Sequence, residues 1–443
     1  MTHTRREFIA LAGAAVGTSI AGAAAWGATH RNGGPPAAAP TTAPEPGSTT
    51  TAGSAPAPAP TGPTVAPTST TAVPRPPATG RVLVVVQLGG GNDGLNTLVP
   101  LQGRYHDARR TIGLPDDGLV PFPGTEGYGL HPAMKPLTAL LAAGQVAAYE
   151  AIGYPHPNRS HFAALDDWWS ATPGQSSTTG WLGRWLDATG AAGADPLRAV
   201  ALGSGAPALL GDRSRPTVVL SPQAFTLHTP KGLTDQLGRP VAAAGGDLAA
   251  RYRTAVADAT SAVATFAALK ADAANDPAEP GGEGADGAIA KGLATAAQLV
   301  LHEPTTRVVQ VAVGGFDTHA GQLATQERLL GDLAAGVSSF FAELTKAGQA
   351  ERVLLVTVSE FGRRVAENGS GGTDHGKASV QFAAGPAVRG GLYGQADLGA
   401  LDDGDLAPQL DVRSLYAAAL TWLGGPVDEV LGGRYDTLGM LRS

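Results

Sequence analysis

Residues Val82–Leu88 read Val-Leu-Val-Val-Val-Gln-Leu, an almost unbroken β-branched run. Such a run offers no polar face to water, so it fits a strand covered on both sides, as at the centre of a parallel sheet. Parallel neighbours need crossover connections, which helices usually supply. The rest of the sequence meets that demand. Pro132–Ala143 and His161–Ala171 read as helices on either side of a strand at Val146–Ile152, and short strands are expected at Ala199–Leu202 and Thr217–Leu220. Asp247–Ala274 and Ala288–Leu301 read as helices. A strand at Arg307–Val313, a helix at Leu323–Leu344 and a strand at Arg352–Val358 follow. Val380–Ala384 and Val412–Leu423 complete the pattern as strand and helix. The alternation predicts an α/β fold, a three-layer sandwich with a mostly parallel central sheet between helices.

Length alone, 443 residues, would suggest two to three domains. Thirteen of the 34 prolines, however, fall between Gly33 and Gly80, where only Glu45 and Arg75 carry charge. Without apolar bulk that stretch cannot offset the entropy of ordering, so 33–80 is expected to be a disordered, extended linker. Ahead of it, Thr4-Arg5-Arg6-Glu7-Phe8-Ile9-Ala10 and the weakly apolar run up to Thr29 look like a twin-arginine export signal over 1–32. This predicts passage through the twin-arginine export machinery to a periplasmic, cell-surface or extracellular place. No membrane span is expected in the mature domain. What remains is one α/β domain over 81–443, long enough to bury a large core.

The chain has no cysteine, and its 38 acidic side chains slightly outnumber 31 basic ones. Disulfide scaffolds, thiolate metal sites and cysteine nucleophiles are excluded. The mild acidity argues against a nucleic-acid partner. Chemistry must come from carboxylates, hydroxyls and imidazoles, and these gather where the expected strands end. Asn92 and Asp93 follow the first strand within Gly89–Gly94, and Arg159 and Ser160 follow the second. Asp317 and His319 follow the strand ending at Val313; Glu360 and Arg363, then Asp374 and His375, follow the one ending at Val358. In an open parallel sheet the carboxyl ends of strands share one edge, where ligands bind. Oxygen and imidazole donors brought together there suit a divalent cation such as zinc, manganese or calcium.

Each piece also has a plainer reading. Gly89–Gly94 fits a dinucleotide-binding turn, an ordinary glycine-rich turn, or a loop presenting Asp93. Ser160 directly precedes a helix, so it reads equally as an N-cap and as a nucleophile at a helix end that attracts anions. Arg159 suits an oxyanion or a surface carboxylate. Asp317 and His319, two apart in extended chain, point the same way, as ligands to one ion or as a hydrogen-bonded pair. Glu360 reads as ligand, general base or partner of Arg363 and Arg364.

Taken together, Gly90-Gly-Asn-Asp-Gly94, Asn158-Arg-Ser-His-Phe-Ala163, Phe316-Asp-Thr-His319, Ser359-Glu-Phe-Gly-Arg-Arg364, Gly372-Thr-Asp-His-Gly376 and Asp411-Val-Arg-Ser-Leu-Tyr416 resemble the exported family called domain of unknown function 1501. That family is similar to the alkaline phosphatase and sulfatase superfamily. The resemblance implies a metal-dependent hydrolase acting on anionic phosphate or sulfate esters. Ser160 would be the nucleophile, Arg159 and Glu360 would assist, and Asn92 and Arg363 would touch substrate. It further implies that Asp93, Ser160, Asp374 and His375 form one metal site and that Asp317 and His319 begin a second. The superfamily's Asp-x-x-x-His is here the shorter Asp317-Thr-His319, and no histidine follows His375. One metal site is therefore expected rather than two. The alternative is a non-catalytic envelope binding protein that keeps the fold.

Overall fold

Every residue of Val82–Leu88 (β1) is buried, and its side chains alternate between two apolar layers. Val82, Val84 and Val86 join one core; Leu83 and Val85 join the other. A strand with cores on both faces can only be central, which explains why it carries no polar alternation. The computed structural model describes residues 80–190, 195–222, 225, 247–275 and 287–442. The expected export signal and, except for Gly80, the expected linker lie outside the described residues.

The remaining strands are β2 (Leu98–Pro100), β3 (Val120–Pro121), β4 (Tyr128–Leu130), β5 (Val146–Gly153), β6 (Ala199–Leu202), β7 (Thr217–Val219), β8 (Val308–Val313), β9 (Val353–Val358), β10 (Ser379–Ala384), β11 (Gly391–Tyr393) and β12 (Leu410–Asp411). The principal helices are α1 (His161–Ser170), α2 (Trp181–Thr189), α3 (Asp247–Asn275), α4 (Ala288–His302), α5 (Gln322–Lys346) and α6 (Val412–Leu423). The main sheet runs β11-β5-β10-β9-β1-β8-β6-β7, with β12 also beside β5. β1 is parallel to β8, with Val84 opposite Val309, and to β9, with Val84 opposite Leu355. β10 alone runs antiparallel to its neighbours, β5 and β9. β2, β4 and β3 form a small separate sheet.

Helices α4 and α5 cover one face through Ile289, Leu293, Leu330 and Phe340. Helices α2 and α6 cover the other through Trp181, Trp185, Leu415 and Leu420. Trp181 stacks on Tyr416 at 4.2 Å between ring centroids. Burying such side chains contributes about 1.5–3 kcal/mol each, which makes this layer a main source of stability. The observed architecture is thus the three-layer α/β sandwich that the alternation predicts.

Three local departures have physical causes. The expected helix from Pro132 is a 3-10 turn over Pro132–Leu137 and becomes α-helical only at Thr138–Ala142, because Pro136 has no N–H to give. Helix α1 stops at Ser170, since Ala171 takes a left-handed conformation at φ 56°. The small sheet, α2, β11 and β12 were not expected from sequence, the strands because two or three residues carry no readable period. Among the described residues no helix is long and apolar enough to cross a membrane.

Candidate functional site

The carboxyl ends of β1, β8 and β9 lie side by side, so the loops that follow them meet. Gly90 makes the meeting possible: its φ is +120°, and a Cβ there would stand 2.3 Å from the Asp317 backbone nitrogen. Its N–H donates to Glu360 Oε1 at 2.7 Å, tying the first loop to the loop after β9.

Around this junction four ionisable side chains from three segments converge. His161, the first residue of α1, offers Nδ1 to Glu360 Oε1 at 2.9 Å and turns Nε2 toward Asp317 Oδ2 at 3.5 Å. His375 offers Nδ1 to the Arg159 carbonyl at 2.9 Å, while its Nε2 stands 3.2 Å from Asp317 Oδ1. His319 offers Nδ1 to Asp374 Oδ1 at 3.1 Å, and its Nε2 lies 3.1 Å from Asp317 Oδ1 and 2.9 Å from His375 Nε2. Ligand atoms of His161, Asp317 and His375 all fall within 4.8 Å of one another, as a metal site requires.

Electrostatics follow from these partners. The hydrogen bond to the Glu360 carboxylate raises the His161 pKa, outweighing burial. Burial lowers that of His375, against the Arg159 carbonyl and Asp317. Burial would raise the Asp317 pKa, but hydrogen bonds from Arg363 and His375 together bring it below the ordinary range. Asp374 is lowered chiefly by Asn368 and then by His319. Glu360 is 2% exposed, and its second oxygen, Oε2, has no hydrogen-bond partner among the described residues.

Not every expected residue joins this group. Asp93 is buried, and both its oxygens face Arg109, at 2.5 and 2.9 Å, with Gln322 as a further donor. A carboxylate so engaged holds the loop together and is not free to ligate an ion. Asn92 is fully buried; its amide exchanges hydrogen bonds with the Thr97 hydroxyl, so it cannot touch a substrate. Arg363 donates to the carbonyls of Gly90, Gly91, Phe316 and Thr373 and to Asp317 at 2.7 Å. Its guanidinium has no surface left for an ester. Arg159 extends to Asp403 at 2.9 Å and Asp405 at 2.5 Å, leaving only its carbonyl toward the site. Ser160 is exposed, and its hydroxyl does not cap α1; its N–H donates to Asn158 Oδ1 instead.

His161 is the residue that the sequence reading passed over. The signal was present, for it sits beside Ser160 in the same loop-to-helix motif, but a helix's first residue shows its direction only once the sheet is assembled.

The chain is similar in structure to the lipoteichoic acid synthase LtaP from Listeria monocytogenes, at 10% identity and TM-score 0.34, covering 82% of this chain and 77% of that one. It is also similar to a protein in the alkaline phosphatase superfamily from Vibrio parahaemolyticus, at 11% identity and TM-score 0.37, covering 82% and 71%. A third is the PsFucS1 sulfatase from Pseudoalteromonas sp., at 12% identity and TM-score 0.35, covering 82% and 72%. No curated protein matches the chain in sequence. One family model does match, over residues 130–434, from the 3-10 turn at Pro132 through the site loops to the end of the last helices. On that match the chain belongs to the family described as "Protein of unknown function (DUF1501)".

Proposed function

We propose that this protein is an exported, metal-dependent hydrolase of phosphate or sulfate esters. The observation that carries the reading is the orientation of three imidazoles. Each Nδ1 faces an oxygen acceptor (Glu360, Asp374 and the Arg159 carbonyl), so in the neutral rings every Nε2 lone pair turns inward. Two of those nitrogens, on His319 and His375, stand 2.9 Å apart with the Asp317 carboxylate beside them. Lone pairs and a carboxylate repel one another there unless a cation, or a proton on one Nε2, sits among them.

A divalent cation fits. Ligands about 2.0–2.1 Å from a tetrahedral ion are separated by about 3.3–3.4 Å, close to the 3.2 and 3.5 Å that separate Asp317 from His375 and His161. His161, Asp317 and His375 would hold the ion and His319 would border it. Nitrogen-rich donors favour zinc or manganese over calcium. Bound there, such a cation supplies charge that lowers the pKa of a neighbouring hydroxyl and neutralises an anionic ester. The chain's own part is orientation. Glu360 and the Arg159 carbonyl fix the two rings by their Nδ1 protons, as outer partners of metal-binding histidines do. Ser160 presents its hydroxyl at the amino end of the ten-residue α1, where free N–H groups favour an anion. It is the proposed nucleophile.

The commitment of Arg159 and Arg363 to internal partners favours a second reading, a binding protein that retains the site without turnover. Two measurements separate them. Metal analysis should find stoichiometric zinc or manganese that Asp317→Asn loses, and Ser160→Ala should abolish turnover of an aryl-phosphate and aryl-sulfate panel. Metal without turnover in the unaltered protein, or a metal-free protein of full stability, would favour the binding reading and remove the hydrolase. Export belongs to the same proposal and rests on Arg5-Arg6; replacing both by lysine should leave the protein inside the cell.

A further inference from the structure

β11 is the edge of the main sheet, paired with β5 on one side only. All three of its residues line a groove of about 580 Å³, a size in the range of ligand sites. No residue of the His/Asp cluster lines it. The floor is largely backbone, because Gly124, Gly127, Gly390, Gly391 and Gly394 all contribute. A Cβ at Gly124 or Gly391 would meet nothing within 4 Å, so these glycines are not packing against anything and leave main-chain polar groups open.

Four side chains give the groove its chemistry. Tyr393 stacks on the buried Tyr149, with centroids 5.3 Å apart and planes 18° apart, so its free face is the one turned to the groove. Its hydroxyl donates to the Arg389 carbonyl, which fixes the ring further. Arg389 is exposed, and its guanidinium forms no hydrogen bond or ion pair among the described residues. Gln102 and Gln395 add amides, while no aspartate or glutamate lines the groove.

We propose that this groove binds a segment of an acidic polysaccharide. A rigid aromatic face suits the apolar face of a sugar ring, amides and open backbone suit hydroxyls, and an unpaired guanidinium suits a carboxylate or sulfate. An extended peptide adding to the edge strand would also use the backbone, yet of the thirteen lining residues only Leu392 and Leu438 are aliphatic, little to anchor such a peptide's side chains. The site is independent of any hydrolytic role of the His/Asp cluster.

The test uses the full chain and four probes: oligogalacturonate, sulfated dextran oligomers, neutral dextran oligomers and an unstructured peptide, with binding measured by calorimetry. At least one acidic probe should bind at low salt and neutral dextran should not. Arg389→Gln should weaken binding at least tenfold and flatten its salt dependence. Tyr393→Ala should weaken it similarly, and Tyr393→Phe should largely retain it. Because Tyr393→Ala also strips a ring from Tyr149, the exposed Arg389 variant carries the decision if the former does not fold. Affinity unchanged by Arg389→Gln, equal binding of neutral dextran, or binding only of an unstructured peptide would each overturn the proposal.

Discussion

Glu150 lies on β5 with no exposed surface, and among the described residues only the Ala151 backbone N–H approaches its carboxylate. Burial pushes its pKa up to about 8, offset only in part by a backbone hydrogen bond at Ala151. An unfolded glutamate titrates near 4.3, so above that pH the native state retains a proton that the unfolded chain releases. Stability from this group is therefore whole below about pH 4 and is lost as pH rises through about 8. Glu150→Gln should raise the unfolding free energy, read by chemical denaturation, by an amount that grows between pH 5 and 8, reaching a few kcal/mol at about 1.4 kcal/mol per pKa unit. A gain of the same size at pH 4 would count against this account. Asp93 illustrates the opposite case, a buried charge that is paired. Asp93→Ala strands the Arg109 guanidinium, which is itself 1% exposed, and should cost about 3–5 kcal/mol in chemical denaturation. A loss below 1 kcal/mol would mean that water reaches the arginine. From sequence, Asp93 looks like a ligand because it follows a strand, and nothing in the chain announces that Arg109 folds beneath it. Asp317, His319 and His375 were legible because the strands preceding them are.

Apart from the nine-residue α2, strands and helices of seven or more residues were readable because each has one dominant constraint. β1 is buried on both faces, α4 and α5 on one, and the sequence pattern follows directly. The direction of β10 was not readable, since its residues would look the same either way. Nor was β11, whose three residues are held by pairing with β5 and not by their own pattern. The loop after β1 shows how an element boundary governs the site. Gly90 lies against the Asp317 backbone and donates to Glu360, so one added methyl displaces both the proposed ligand and the partner of His161. Gly90→Ala should lower thermal stability and weaken metal binding at least tenfold. Gly103→Ala, at a helix start with nothing within 4 Å, should do neither. Equal behaviour of the two variants would show that the loop yields without disturbing the cluster.

At the scale of the whole molecule, one sheet carries an apolar core on each face, and the site is the place where three of its central strands end. Any ligand held there by residues of α1 and of the loops after β8 and β9 binds only the folded form. Removal of the metal with a chelator should therefore lower the melting temperature of the unaltered protein and leave that of Asp317→Asn unchanged. An equal fall in both would place the ion elsewhere.

The order of the sheet has a consequence in time as well as in space. β1 leaves the ribosome first, yet its two hydrogen-bonding neighbours are β8 and β9, which end at Val313 and Val358. Until Val313 has been made a bare valine-rich strand therefore waits without a partner, the state most exposed to pairing with another chain. Nascent chains of this protein should need a holding chaperone until Val358 has emerged, and a chain stopped before Arg307 should be found in the insoluble fraction.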